Sequence, residues 1–188
     1  LGHRRLSIVD LSTNGSQPMK SYCERFIMSY NGEIYNHLEL RSELEISGAA
    51  PKWQGHSDTE TLLAAIVHWG LDEALCRSHG MFALALWDQA EKSLSLARDR
   101  MGEKPLYWGW AGQDLIFGSE LKALRSHPDC PQKINKEAFN QYLRFMYIPA
   151  PLSIYQGIYK LEPGTILNVN GSAPSLPPKK PIRPSESH

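Results

Sequence analysis

The chain has 188 residues, 41% of them hydrophobic and 21% charged, enough for one or two globular domains with an ordinary core. Twenty basic and twenty acidic side chains cancel to a formal net charge of +0, so nothing suggests a surface built for polyanions, and neither nucleic acid nor a membrane is an expected partner. The longest apolar runs, MFALALW and LLAAIV, fall far short of the roughly 20 residues that span a bilayer, and no charged-then-apolar signal opens the chain, so a cytoplasmic setting is expected.

The chain opens at Leu1 with LGHRRLSIVD, which reads as the interior of a longer sequence. RFIMSY is the first predicted strand, and NGEIYN after it begins with the Asn-Gly pair common in hairpin turns. A helix should follow, capped by Asn36 with Glu39 as its capping-box acid, Leu40 and Leu44 on one face and Gly48 at its end. Ser57 and Glu60 repeat that start ahead of Leu62, Leu63, Ile66 and Val67, whose spacing makes one apolar stripe, with Gly70 as the stop. MFALALWD, KSLSLARD, PLYWGWA and DLIFGS read as strands, and Gly112 marks a hairpin between the last two. A short helix is predicted over 120–125. A longer one starts at Lys136, capped by Asn135, with Phe139, Tyr142, Leu143 and Met146 expected to face inward. Beyond Asn170 the proline-rich GSAPSLPPKKPIRPSESH reads as a flexible tail over 171–188. This order of elements implies an α+β fold, antiparallel sheets covered by helices.

Isolated polar residues carry less information. Cys23, Cys76 and Cys130 show neither CxxC nor Cys/His ligand spacing, which argues against a disulfide framework or a zinc site and for structural thiols. His3, His56 and His79 also lack paired ligand spacing, so no metal is expected. RDRMGEKPLY packs Arg98, Asp99, Arg100 and Glu103 around a turn and suggests a salt-bridged surface loop. The five tryptophans are expected in the core or at its rim.

LGHRRLSIVD, NGEIYNH, SDTE, GMFALALWD, RDRMGEKPLYWG and FGSELKAL, in this order, resemble the glutamine amidotransferase domain of glutamine-hydrolysing asparagine synthetases. The resemblance runs from Leu1 to about Asn170 and takes in FNQYLRFMYIPAPLSIYQGIYKLEPG, which is similar to the family's join to the synthetase half. It implies an N-terminal-nucleophile hydrolase fold, a four-layer αββα sandwich with antiparallel sheets. The implied division is an amidotransferase domain over 1–134, a linker and start of the synthetase part over 135–170, and the tail.

A site selecting glutamine must pair an α-carboxylate and an α-ammonium while leaving the side-chain amide free to react. By the resemblance, Arg5 takes the carboxylate in a two-pronged contact, Leu6, Ser7, Ile8 and Val9 line the substrate through backbone and wall contacts, and Asp58 with Glu33 holds the ammonium. By the same resemblance Asn31, through its side-chain amide, and Gly32, through its backbone N–H, form the oxyanion hole, glycine there permitting close backbone approach and an unusual dihedral. The family's nucleophile is an N-terminal cysteine that none of the three cysteines matches, so the sequence is expected to lack its true beginning and, as it stands, to bind glutamine weakly and hydrolyse none. ATP and Mg2+ are implied for the missing synthetase domain, with no cofactor in this part. The partners implied are glutamine and that synthetase domain in the same chain, with a homodimer left open. Two other readings are a non-catalytic glutaminase-like binding module and the glutaminase-like domain of a relative with another acceptor acid, such as a β-lactam synthetase.

Overall fold

The computed structural model describes residues 1–3, 15–170 and 179–182. Its largest sheet has six antiparallel strands in the order β1 (Met19–Lys20), β2 (Phe26–Ile34), β3 (Gly80–Asp88), β4 (Ser93–Arg98), β8 (Thr165–Asn170) and β9 (Lys179–Pro181). A second sheet has three, β6 (Asp114–Gly118), β5 (Tyr107–Ala111) and β7 (Ile158–Lys160). The helices are α1 (His37–Ile46), α2 (Asp58–Trp69), α3 (Leu71–Arg77), α4 (Leu121–Leu124) and α5 (Lys136–Phe145).

Period-two alternation divides the side chains among three apolar layers. Met28, Tyr30, Phe82, Leu84 and Leu86 face α1, α2 and α3 and meet Leu40, Leu44, Leu62 and Ile66. Their neighbours Ala83 and Ala85, with Leu96 and Leu167, face the other way and pack on Trp108, Phe117 and Tyr159 of the second sheet. The far face of that sheet, Tyr107, Ile116 and Ile158, is covered by Leu121 and Leu124 of α4. The layers therefore run helix, sheet, sheet, helix, as expected of an αββα sandwich.

Local signals explain most boundaries. Ser57 Oγ accepts from Glu60 N at 3.1 Å to start α2, and Gly70, at φ +82°, ends it. Gly112, at φ +61°, turns β5 into β6. Asn135 Oδ1 caps α5 by accepting from Glu137 N and Ala138 N.

Several expectations need correction. The Asn-Gly pair is no turn, since Asn31 and Gly32 lie inside β2 opposite Ala83 and Phe82. Asn36 precedes α1 but its side chain does not cap it; the amide donates to Arg77 O and accepts from His79 N, tying α1 to the end of α3. Phe139, Tyr142, Leu143 and Met146 of α5 are exposed, at 46, 43, 62 and 74%, and in this helix only Ala138 is buried. Residues 158–170, placed with the linker on sequence, supply β7 and β8 to the two sheets. Part of the expected tail is ordered too, because β9 pairs with β8 and Ile182 is buried beside it.

The 98–104 loop is likewise not a salt-bridged turn. Asp99 is 1% exposed and accepts four backbone N–H groups, from Phe82, Met101, Glu103 and Lys104. Arg98 donates to the carbonyls of Gly102, Lys104 and Leu161, and burial lowers its pKa from the usual guanidinium value. Arg100 donates to Leu75 O, Cys76 O and Ser78 O, satisfying the carbonyl end of α3. These charges are matched by peptide dipoles rather than by each other.

Candidate functional site

The described candidate residues are on or beside β2: Asn31, Gly32 and Glu33 belong to the strand and Asp58 bonds to it at Ile34. β1 pairs only with Ile27 and Met28, and among the described residues the rest of β2 has no neighbouring strand on that side. Odd-numbered residues bond towards β3, as Tyr35 N does to His79 O at 2.7 Å, and even-numbered amides point to the open edge. Two of these outward amides are taken: Tyr30 N donates to Gln17 Oε1 at 2.6 Å and Ile34 N to Asp58 Oδ2 at 2.9 Å. Between them is Gly32. Its partner across the pair, Phe82, turns both backbone groups the other way, donating to Asp99 Oδ2 and accepting from Asp99 N. The Gly32 N–H thus has no partner among the described residues and faces outward from a half-buried position.

Glycine is required at position 32 by space, as the expected close backbone approach implies, and not by dihedral angle, which corrects the expectation of an unusual conformation. Gly32 is absent from the glycines of positive φ, and a Cβ there would stand 2.2 Å from Met81 O and 2.7 Å from Phe82 Cα. Gly80 has the reciprocal constraint, since its Cβ would stand 2.1 Å from Glu33 O. The two strands approach at this point too closely for any side chain between them.

The Asn31 side chain projects from the face of β2 that looks at the second sheet, and Nδ2 donates to Ser119 Oγ at 3.3 Å. Glu33 follows on the same face, half-buried. On the opposite face Asp58, 5% exposed at the first turn of α2, uses Oδ2 for Ile34 N and the Tyr30 hydroxyl, and Oδ1 for Thr59 N at 2.8 Å and Thr59 Oγ1 at 3.4 Å. Burial and the adjacent Asp58 carboxylate push the Tyr30 hydroxyl pKa well above that of an ordinary phenol. Asp58 therefore braces β2 through two contacts, and its weakest bond is the one to the Thr59 hydroxyl.

Arg5, Leu6, Ser7, Ile8 and Val9 lie outside the described residues. The segment leading to them does not: Ser29 Oγ is 3.4 Å from His3 Nδ1 and donates to Gly2 O, which brings residues 2 and 3 to the Asn31 face of β2. The cysteines sit elsewhere. Cys130 is buried behind the second sheet, Cys76 packs under the helices, and Cys23 precedes β2, bonded to Ser21 Oγ. A shallow cleft lined by Leu38, Arg41, Trp53, Gln54, Gly55 and His56 contains none of the predicted site residues.

Sequence reasoning passed over Tyr30, Gln17 and Ser119, the groups that hold Asp58, the outer edge of β2 and Asn31. Only Ser119 had a signal, its place in FGSELKAL. The other two contacts join residues 28 and 13 positions apart and leave no local pattern.

The glutamine amidotransferase domain model matches residues 1–178. The chain belongs to the glutamine amidotransferase family. This amidotransferase chain is 41% identical over 164 residues to asparagine synthetase [glutamine-hydrolyzing] 1 of Bacillus subtilis (strain 168), a match covering 87% of the chain and 25% of that protein. It is 36% identical over 178 residues to the putative asparagine synthetase [glutamine-hydrolyzing] 2 of Methanocaldococcus jannaschii, covering 86% of the chain and 33% of that protein. The amidotransferase chain thus spans a quarter to a third of the length of these relatives. Among solved structures, glutamine phosphoribosylpyrophosphate amidotransferase from B. subtilis superimposes with a TM-score of 0.61 at 21% identity, over 96% of this chain and 34% of that one. The chain shares the fold of that amidotransferase.

Proposed function

We propose that this chain is the glutaminase part of a longer glutamine-hydrolysing asparagine synthetase, releasing ammonia from glutamine for the ATP-dependent amidation of aspartate. The observation that carries this reading is the open Gly32 amide on the edge of β2, next to the Asn31 side-chain amide and bounded along the same strand by Glu33 and the Asp58 contact at Ile34. A donor pair of this kind, beside acid groups, suits an amide substrate that also carries an ammonium.

In the proposed reaction a cysteine thiol supplied by the amino-terminal part of the longer protein adds to the glutamine amide carbon. The carbonyl oxygen takes the negative charge, and Asn31 Nδ2 and the Gly32 N–H stabilise it. The C–N bond then breaks, the leaving nitrogen takes the thiol proton and departs as ammonia, and water cleaves the thioester to give glutamate and the free thiol. Arg5 pairs with the substrate carboxylate, with Leu6, Ser7, Ile8 and Val9 as the adjoining wall. Glu33 and Asp58 hold the ammonium, which at Asp58 would replace the long Thr59 hydroxyl contact. ATP and Mg2+ serve the synthetase part, and no residue of this chain is assigned to them. The relatives named as asparagine synthetases support aspartate as the acceptor, and the absence of a described helix long and apolar enough to cross a membrane is compatible with a cytoplasmic enzyme.

Glutamine binding is the direct test. Glutamine at about a hundred times its dissociation constant should stabilise the chain by about 2.7 kcal/mol. Arg5→Ala should abolish the thermal shift, and Asn31→Ala should keep most of it because oxyanion donors act on the transition state. A melting temperature that glutamine does not move at any attainable concentration would overturn the assignment.

A further inference from the structure

The Asn31 side chain can turn about its last torsion, and only an orientation that offers Nδ2 to the substrate oxygen is of use in an oxyanion hole. One described contact controls that orientation, the 3.3 Å bond from Nδ2 to Ser119 Oγ. Ser119 comes from the other sheet, at the junction between β6 and α4.

That junction is firmly seated. Gly118 pairs with Tyr107, and a Cβ on it would approach Leu124 Cδ1 to 3.1 Å, while Leu124 is 3% exposed in the third apolar layer. The hydroxyl is therefore held by β5 and by α4 packing, independently of β2. Nδ2 carries two hydrogens, so donating one to Ser119 leaves the other for a substrate.

We propose that Ser119 is a positioning residue for the oxyanion hole, fixing the Asn31 amide so that its second N–H meets the developing negative charge. The inference rests on the glutaminase reading above and extends it to a residue on the opposite sheet. Ser119 touches no reacting atom. Its removal leaves Asn31 in place but free to turn, so binding is kept and turnover falls.

Two measurements test this. In the full-length protein, Ser119→Ala should lower the glutaminase kcat by roughly tenfold with KM changed less than about twofold, and Ser119→Thr, which keeps the oxygen, should restore it. Ser119→Ala should add nothing in an Asn31→Ala background, because it acts through that side chain. In the 188-residue chain itself, the Asn31 side-chain amide signals, identified by their loss in Asn31→Ala, should exchange with solvent several-fold faster in Ser119→Ala and at the original rate in Ser119→Thr. If Asn31→Ala is impaired while Ser119→Ala retains full kcat and slow exchange, the oxyanion reading survives and this proposal falls. Full activity in Asn31→Ala would remove both. An equal loss from Ser119→Ala with and without Asn31 would reduce Ser119 to general support and also overturn the proposal.

Discussion

Asp99 is a carboxylate with 1% exposure, and burying such a group costs several kcal/mol unless hydrogen bonds replace its water. Four backbone N–H groups do so here, three of them from its own loop and one from Phe82. The last bond links the loop to catalysis in the proposed enzyme, because Phe82 is the residue opposite Gly32. Asp99→Asn would set an NH2 group against backbone donors in a closed space. It should destabilise the fold by about 2–4 kcal/mol, read as a lower urea midpoint at unchanged slope. A loss below about 0.5 kcal/mol would mean that water holds this loop instead. Sequence alone registered four charges in a turn; it could not tell mutual ion pairs from charges satisfied by the backbone, since both choices produce the same composition.

At the scale of elements, the junction of β2 and β3 depends on two glycines, Gly32 and Gly80, each set against the backbone of the other strand. Gly80→Ala would bring a methyl to within 2.1 Å of Glu33 O and must part the strands, at a cost of about 2–3 kcal/mol or more. Gly112→Ala is the control. It has open space and only a left-handed conformation to strain, so thermal melts should show a loss nearer 1 kcal/mol. Strands and helices were largely legible because their signals are local: alternation in β3, the Ser57 cap on α2, the glycine stops. The orientation of α5 was not. Periodicity states that Phe139, Tyr142, Leu143 and Met146 share a stripe, and it is silent on whether this chain supplies anything to cover them. The role proposed for Asn31 and Gly32 was readable only through the resemblance, because Asn-Gly in isolation is ordinary turn chemistry. That Gly32 faces an edge without a partner strand among the described residues follows from the shortness of β1, a two-residue strand that no pattern announced.

For the molecule as a whole, the buried Tyr30 hydroxyl couples folding to pH. The folded-state pKa of Tyr30 is raised, so its contribution is fully present below the unfolded value of about 10 and declines as pH rises past it, where the unfolded chain gives up the proton and the folded chain keeps it. The urea midpoint should therefore fall between about pH 9.5 and 11, and Tyr30→Phe should flatten part of that fall while lowering stability at neutral pH through loss of the Asp58 contact. An alkaline slope identical in the variant would assign the effect to other groups. The loop at 98–104 has a different consequence. Its guanidinium and carboxylate groups meet peptide carbonyls and amides at 2.5 to 3.2 Å, well inside the screening length of about 8 Å at physiological ionic strength. Dissolved ions have no room to intervene there, whereas the exposed Arg77 pairs with Glu43 and Glu73 stand in the solvent that carries them. The strand paired with Asn31 and Gly32 is moored, at Phe82, through a charge that brine does not reach.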